Sequence, residues 1–298
     1  MTRDDYLNQP CVIAFVNWLS EIIQGDVPIE FRYGKDPGNV WGTLYCALKA
    51  YEWPLVKNKG LQEGHCTNWP FPDGARFFLP AKSTLADNEA VLDRLKAGLR
   101  AAMLPNGDNP APWVAAILLW GGVYTQIGKY GGNRGWLELN CNEIRAIVND
   151  TKEALSADDH DLNEFGDRRF NSGMTKVYSL LLENFIIYDS RVAAALAWLV
   201  WQWCRSRDPA VPLPPLLAFA CPTARGGGIR NPDEAAFPYL NVKPREHAKW
   251  NLRANWILQE AFTLPNSGKT SIAPGNFNSL REVEAALFTM GSDLRHAI

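Results

Sequence analysis

Apolar residues recur every three or four positions along most of this chain of 298 residues. This spacing places them on one face of an α-helix, and it is the strongest local signal of helical structure. The two best strand-like runs, residues 29–33 and 76–79, are short. We therefore expect a mostly α-helical protein. The predicted helices cover Val12–Gln24, Val40–Tyr51, Leu85–Met103, Trp113–Ile127, Asn142–Leu155, Met174–Asn184, Ser190–Cys204, Pro244–Phe262 and Leu280–Met290.

The breaks between the predicted helices set the expected domain organisation. Proline and glycine cluster in four places, and none of these segments is long or simple enough to be a disordered linker. A chain of this length holds one large domain or two smaller ones. We expect one compact helical unit over residues 1–298, with room for a small N-terminal lobe over residues 1–110 and a helical core over residues 111–298.

The charge balance limits the ways in which this chain can bind nucleic acid. Its 30 Lys and Arg residues and 32 Asp and Glu residues give a net charge of −2, which excludes a protein that coats DNA through bulk positive charge. Residues 222–254 are locally basic, with six cations and three anions, whereas residues 150–167 are acidic. The basic run fits a phosphate-facing surface, and it fits a solvated amphipathic helix equally well.

Cysteine spacing and hydropathy argue against a metal centre and a membrane span. The six cysteines are spread along the chain, and only His65 and Cys66 place two metal-binding side chains together. The most apolar run, residues 192–204, is shorter than the roughly 20 residues that cross a bilayer. Asp4 and Asp5 lie where a secretory signal is basic. We therefore expect a soluble cytoplasmic protein without a metal or another cofactor.

Two residues of the segment 168–203 are candidates for chemistry. Lys176 falls in the first turns of a short helix that is expected to begin near residues 173–175. Asp189 follows thirteen residues later, directly before an apolar helix, where its carboxylate can accept hydrogen bonds from the first amides of that helix. Taken alone, each residue has a plain structural explanation, as a solvated lysine on a helix and as a helix cap.

Together these residues resemble part of a known enzyme family. The run Gly173-Met174-Thr175-Lys176-Val177, followed by Tyr188-Asp189-Ser190-Arg191-Val192, is similar to the core of the helix-hairpin-helix DNA glycosylases, in particular their 8-oxoguanine glycosylase (OGG) branch. It is closer still to the T-K-V…I-Y-D-S-R-V pattern of bacterial OGG-fold proteins. The family hairpin carries glycines four and two residues before its lysine. This chain has Ser172 and Met174 at those positions, with a single glycine between them.

The resemblance implies a fold and a reaction. The fold would be a helix-hairpin-helix DNA glycosylase-like helical bundle with residues 111–298 as its core, and the reaction would remove a damaged or modified base, such as an oxidised purine, from duplex DNA. Lys176 would be the nucleophile that forms a Schiff base, and Asp189 would stabilise the positive charge on the sugar. The target base would leave the stack, and the same imine would allow lyase cleavage of the strand. The implied DNA contacts are Ser172, Gly173, Thr175, Arg168, Arg169 and Arg191.

Two other interpretations of the same residues stay open. The chain could keep this fold and bind DNA, or another polynucleotide, without cutting it, as in antiviral defence; the altered hairpin glycines favour this alternative. It could also be an interaction protein with no nucleic-acid role, in which Asp189 and its neighbours form a buried polar cap. For an active enzyme, repair of oxidised DNA and attack on modified foreign DNA are both consistent with the sequence, which does not indicate the oligomeric state.

Overall fold

The computed structural model divides the chain into two compact units, each assembled from separate segments. The first unit comprises Met1–Tyr51, Asp158–Asn163 and Ile186–Ile298, and the second comprises Glu52–Ala157 and Glu164–Phe185. These boundaries do not coincide with the division at residue 110 that the sequence suggested. The structure describes residues 1–36, 38–53, 72, 77, 82–125, 132–157, 162–207, 212–225, 228–240, 243–264 and 277–297.

The described residues are predominantly helical, which confirms the prediction of a mostly α-helical protein. The helices of the first unit are α1 (Arg3–Leu7), α2 (Pro10–Gln24), α3 (Leu44–Lys49), α9 (Ser190–Arg205), α10 (Pro244–Thr263) and α11 (Leu280–Met290). Two short antiparallel pairs join β1 (Phe31–Arg32) with β2 (Val40–Trp41) and β3 (Ala224–Arg225) with β4 (Gly228–Ile229). The helices of the second unit are α4 (Leu85–Ala102), α5 (Ala111–Trp120), α6 (Gly132–Leu139), α7 (Ile144–Ser156) and α8 (Met174–Leu181). A short 3₁₀ helix spans Leu162–Phe165, where the chain passes from the first unit to the second.

Short local signals set the points where several helices begin. The Thr84 hydroxyl accepts a hydrogen bond from the Asp87 N–H, and the Asp87 carboxylate accepts one from the Thr84 N–H, so that a capping box starts α4. Ser279 caps α11 through the Glu282 N–H at 3.2 Å. Pro244 occupies the first position of α10, where its missing N–H costs nothing. The predicted starts of these three helices are confirmed.

Helix α9 is buried along most of its length and packs against α2 and α11 in the first unit. Its approach to α11 is close, because a β-carbon at Gly291 would overlap the carbonyl oxygen of Arg191. Further along, the buried Trp198 contacts Phe31 edge-on, with 4.9 Å between ring centres. Since burial of apolar surface is the main force holding helices together, this packing fixes α9 and therefore the residue that caps it, Asp189.

Helix α5 lies at the centre of the second unit, and nearly all of its residues are buried. It packs against α4, α6 and α8. Helix α4 comes close to it, because a β-carbon at Gly98 would overlap the ring of Trp113. Ile117 of α5 and Val177 of α8 are fully buried. The first turn of α8, which carries Lys176, is thereby held against the C-terminal end of α5.

One predicted helix is wrong at its start. The periodicity predicted a helix over Val40–Tyr51, but Val40–Trp41 pairs as a strand with Phe31–Arg32, and α3 begins only at Leu44. Pairing with a segment outside the local window overrides the helical spacing here. The strand predicted over residues 76–79 lies outside the described residues, apart from Phe77.

Candidate functional site

Lys176 is a buried lysine in the first turn of α8. Its side chain is 4% exposed, and its Nζ donates a hydrogen bond to the carbonyl oxygen of Ser172 at 2.9 Å. Lysine is rarely buried, because its ammonium loses hydration that few protein environments replace. Lys176 is therefore not a solvated surface lysine, which was the plain structural explanation for this residue.

Gly121 provides the space that the Lys176 side chain occupies. A β-carbon at Gly121 would overlap Cδ of Lys176 and stand 2.5 Å from its Cε. The backbone of Gly121 has φ −74° and ψ 0°, which any residue adopts. The glycine is thus required by the size of its side chain rather than by its backbone freedom.

The loop before α8 is organised by Asn171. Its Oδ1 accepts hydrogen bonds from the N–H groups of Gly173 at 2.8 Å and Met174 at 3.0 Å, and its carbonyl accepts one from Thr175 at 3.0 Å. These bonds satisfy the first amides of the helix, which have no partner within it. Sequence analysis missed this role, although an asparagine shortly before a helix is a known start signal.

Asn133 holds this loop from the second side. Its Oδ1 accepts hydrogen bonds from Asn171 Nδ2 at 3.0 Å and from Arg169 Nη2 at 3.1 Å, and its Nδ2 donates to the carbonyl of Val123 at 3.1 Å. A β-carbon at Gly173 would overlap Asn133 Nδ2. The glycine at position 173 is therefore explained by the close approach of a neighbouring side chain. Nothing in the sequence indicated Asn133, because it lies well before this loop in the chain.

The second-unit residues implied as DNA contacts are largely engaged within that unit. Thr175 is fully buried, which does not favour a direct contact of its side chain with DNA. Arg168 donates to the Glu164 carbonyl at 2.7 Å and pairs with the Glu164 carboxylate at 3.6 Å. Arg169 is bound to Asn133, and its burial lowers the pKa of its guanidinium. Ser172 is half-buried and contributes its carbonyl to Lys176.

Asp189 caps α9, as its position in the sequence predicted. Its Oδ1 accepts hydrogen bonds from the N–H groups of Arg191 at 2.9 Å and Val192 at 3.2 Å, and the residue is 9% exposed. Two amide donors fix the carboxylate and stabilise its charge. The prediction of a held carboxylate at this position is confirmed.

The chain leading to Asp189 is fixed by buried polar side chains of α10 and α11. The N–H of Ile186 donates to Asn255 Oδ1 at 2.7 Å, and the N–H of Ile187 donates to Glu284 Oε2 at 2.9 Å. Burial raises the pKa of the Glu284 carboxyl. Neither side chain was indicated by the sequence, because both lie far along the chain from the segment that they hold.

The start of α9 also contacts two arginines. Arg230 is buried and donates through Nη1 to the Ser190 hydroxyl at 2.7 Å and through Nε to the Ser292 carbonyl at 3.3 Å. Arg191, the third arginine implied as a DNA contact, places its guanidinium 4.4 Å from the ring centre of Phe288. The first unit thus brings the Asp189 carboxylate and the guanidinium groups of Arg191 and Arg230 to the start of α9.

Lys176 belongs to the second unit and Asp189 to the first. The chain passes from one unit to the other between Phe185 and Ile186, and residues 182–189 link α8 to α9. The second unit gathers Lys176 with Ser172, Gly173 and Thr175, and the first gathers Asp189 with Arg191. Each unit therefore orders one of the two candidate residues at the start of its own helix.

Among the described residues, no three His, Cys, Asp or Glu side chains form a group that could hold a metal ion. The His65 and Cys66 pair lies outside those residues. None of the described helices is long and apolar enough to cross a membrane. Comparison of the chain with known proteins found no matching family model, no matching curated protein and no matching solved structure.

Proposed function

We propose that this chain is a DNA glycosylase with apurinic/apyrimidinic (AP) lyase activity, built on a helix-hairpin-helix fold. Lys176 is the nucleophile, and Asp189 is the carboxylate that stabilises charge on the sugar. The observation that carries the proposal is the burial of Lys176 at the start of α8. Its Nζ donates a hydrogen bond to the Ser172 carbonyl oxygen at 2.9 Å. A buried amine of this kind is typical of a lysine used in covalent chemistry.

The reaction begins with the bond between the target base and the sugar. The neutral amine of Lys176 forms a bond to C1′ while the bond from C1′ to the base breaks, and the departing base takes up the proton that the newly bonded nitrogen gives up. The nitrogen then forms an imine as the bond from C1′ to the ring oxygen breaks, and that oxygen takes up a proton from water. Loss of a C2′ proton from this imine expels the 3′ phosphate, which cuts the strand, and water finally hydrolyses the imine to free Lys176.

The surroundings of Lys176 support the first step. Attack requires the neutral amine, and loss of hydration in a buried site generally disfavours the ammonium form. The Asn171 cap and the cleft left by Gly121 restrict the conformations of the side chain. A nucleophile that is already oriented loses less entropy when it reaches the transition state.

The fixed carboxylate of Asp189 supports the second requirement of the reaction. Positive charge develops on the sugar as the base departs, and a preorganised anion stabilises it without having to reorient. The amides of Arg191 and Val192 hold Asp189 Oδ1 in one place. Repair of oxidised DNA and attack on modified foreign DNA would both use this chemistry.

The test is incubation with a panel of duplexes that each carry one modified base, with 8-oxoguanine first. We expect free base and cut strand from at least one duplex, and neither product from Lys176→Gln. A protein that binds DNA without cutting it is the second candidate, favoured by Ser172 and Met174 at the positions of the family glycines. Salt-dependent binding without any product would support that candidate and contradict the enzyme.

A further inference from the structure

The basic run 222–254 contains cations of two kinds. Arg230 is buried against Ser190 and Ser292 and therefore serves the fold. Arg253 lies 5.1 Å from the ring centres of both Tyr6 and Trp250, and burial lowers the pKa of its guanidinium. Arg230 is thus buried, and Arg253 is half-buried against two aromatic rings.

Lys243 and Arg245 differ from them, because both are exposed. They flank Pro244 at the start of α10 and line a cavity of about 340 Å³ in the first unit. Glu246 lines the same cavity, but its carboxylate is bound by the Lys249 Nζ. Two cations and one anion line the cavity, so its lining carries a net positive charge, as a phosphate site would require.

Two aromatic side chains line the same cavity. Trp250 is buried, whereas Tyr239 is 61% exposed and is among the few large apolar side chains of the described residues with so much free surface. The backbone beside Tyr239 is fixed, because the Cys221 N–H donates to the Pro238 carbonyl and the Leu240 N–H donates to the Cys221 carbonyl, both at 3.1 Å. A rigid support under an exposed ring is the arrangement of a stacking platform.

We propose that this cavity binds one unpaired nucleotide of a DNA strand. The base stacks on Tyr239, and the adjacent phosphate contacts Lys243 and Arg245. Proteins that bind single strands combine aromatic stacking with a positively charged groove in this way. The ligand is an unpaired nucleotide rather than a duplex, because the faces of paired bases are covered by their neighbours in the stack.

The inference rests on the proposed function in taking DNA as the ligand, and it specifies the substrate class as DNA with unpaired nucleotides. A free mononucleotide carries the same ring and phosphate. A strand offers further phosphates, so an oligonucleotide is expected to bind at least about tenfold more tightly than a mononucleotide.

The test measures binding of a labelled, unmodified single-stranded oligonucleotide by fluorescence anisotropy. Tyr239→Ala should raise Kd at least about fivefold, because base stacking is lost, and Tyr239→Phe should bind like the wild type. Arg245→Gln should weaken binding and reduce the slope of log K against log salt by about 0.7. Arg94→Gln, which removes an exposed cation from α4 of the second unit, is the matched control and should change neither.

Three results would overturn the inference. The first is wild-type affinity for the oligonucleotide in Tyr239→Ala. The second is an equal loss of affinity in Arg245→Gln and Arg94→Gln, and the third is a mononucleotide that binds as tightly as the oligonucleotide. A fully paired duplex is a further arm, and an equal effect of Tyr239→Ala on its binding would also contradict the model. Because the oligonucleotide carries no modified base, these results are independent of catalysis. Base release without Tyr239-dependent binding would overturn this inference alone.

Discussion

The side chain of Lys176 occupies the space in which a β-carbon of Gly121 would stand. Gly121 is the C-cap of α5, Lys176 lies in the first turn of α8, and the two helices pack against each other. The contact lets a long, polar side chain lie between two buried helices. The position of the Lys176 amine therefore depends on a residue that has no chemistry of its own.

Gly121→Ala should strongly lower the rate of imine trapping and have only a small effect on thermal stability. The new methyl group displaces the flexible end of Lys176, and a misplacement of about 1 Å can cost about 10²-fold in rate. The rate of imine trapping measures the first effect, and thermal unfolding measures the second. Gly42→Ala is the matched control, because nothing lies within 4 Å of a β-carbon there. Equal trapping rates in the two variants would show that Gly121 does not position Lys176.

Asn171→Ala should lower both stability and trapping. The variant loses the acceptor for the amides of Gly173 and Met174, and removal of such a cap costs about 1 kcal/mol. Asn109 accepts the Ala111 N–H at 2.9 Å at the start of α5, so Asn109→Ala loses a similar bond away from Lys176. We expect both variants to lose stability in urea unfolding, Asn171→Ala more than Asn109→Ala because it loses more hydrogen bonds, and we expect slower trapping only in Asn171→Ala. Equal trapping in both would contradict the proposed role of this loop.

Substitutions of Asp189 separate its cap from its charge. Asparagine is a good cap and carries no charge, so Asp189→Asn should keep the stability of the protein and lower the rate of base release by about 10²-fold or more. Asp189→Ala should lower the rate of base release and also reduce the free energy of unfolding by about 1 kcal/mol. Single-turnover kinetics and urea unfolding measure the two effects. If Asp189→Ala lowers only the stability, Asp189 is a structural cap and the proposed role in charge stabilisation is wrong.

Glu284 should make the protein less stable as the pH rises. Burial raises the pKa of this carboxyl above its ordinary value of 4.5, so the folded chain binds its proton more tightly than the unfolded chain does. Stability then falls as the pH rises through the window that begins near 4.5 and ends at the folded pKa. Glu284→Gln has no proton to lose at this position, so it lacks this loss of stability. Its stability relative to that of the wild type should therefore increase as the pH rises through that window.

Glu183→Gln provides a control of opposite sign for the Glu284 prediction. The Arg100 guanidinium donates a hydrogen bond to Glu183 and lowers the pKa of that carboxyl. The stabilisation is complete above 4.5 and is lost as the pH falls through the lowered pKa. Relative to the wild type, Glu183→Gln should therefore lose stability as the pH rises. Thermal unfolding at several pH values measures both variants, and the same sign in both would contradict the assignment.

Local signals allowed much of the helical fold to be predicted. The Ser279 cap, Pro244 and the Asp189 cap each lie next to the helix that they start, so a short window of sequence contains the whole signal. The start of β2 could not be found in this way, because Val40–Trp41 depends on pairing with β1. The division into two units, each made of separate segments, is likewise a property of long-range contacts.

The candidate site shows the same limit. A local pattern and its resemblance to a family indicate Lys176 and Asp189. The residues that surround them lie far away in the sequence. They are Gly121 and Asn133 near Lys176, and Glu284 near Asp189. Burial of the lysine depends on these distant partners, and no window around residue 176 contains them.

The central claim is that Lys176 forms the covalent bond to DNA. Borohydride reduction during the reaction converts the imine into a stable amine, and mass spectrometry of the digested adduct identifies the modified residue. We predict that the sugar is attached to the peptide carrying Lys176. We also predict that Lys176→Gln abolishes the adduct, whereas Lys82→Gln, which changes an exposed lysine of the second unit, leaves it intact. An adduct at another residue, or trapping that persists in Lys176→Gln, would contradict this assignment.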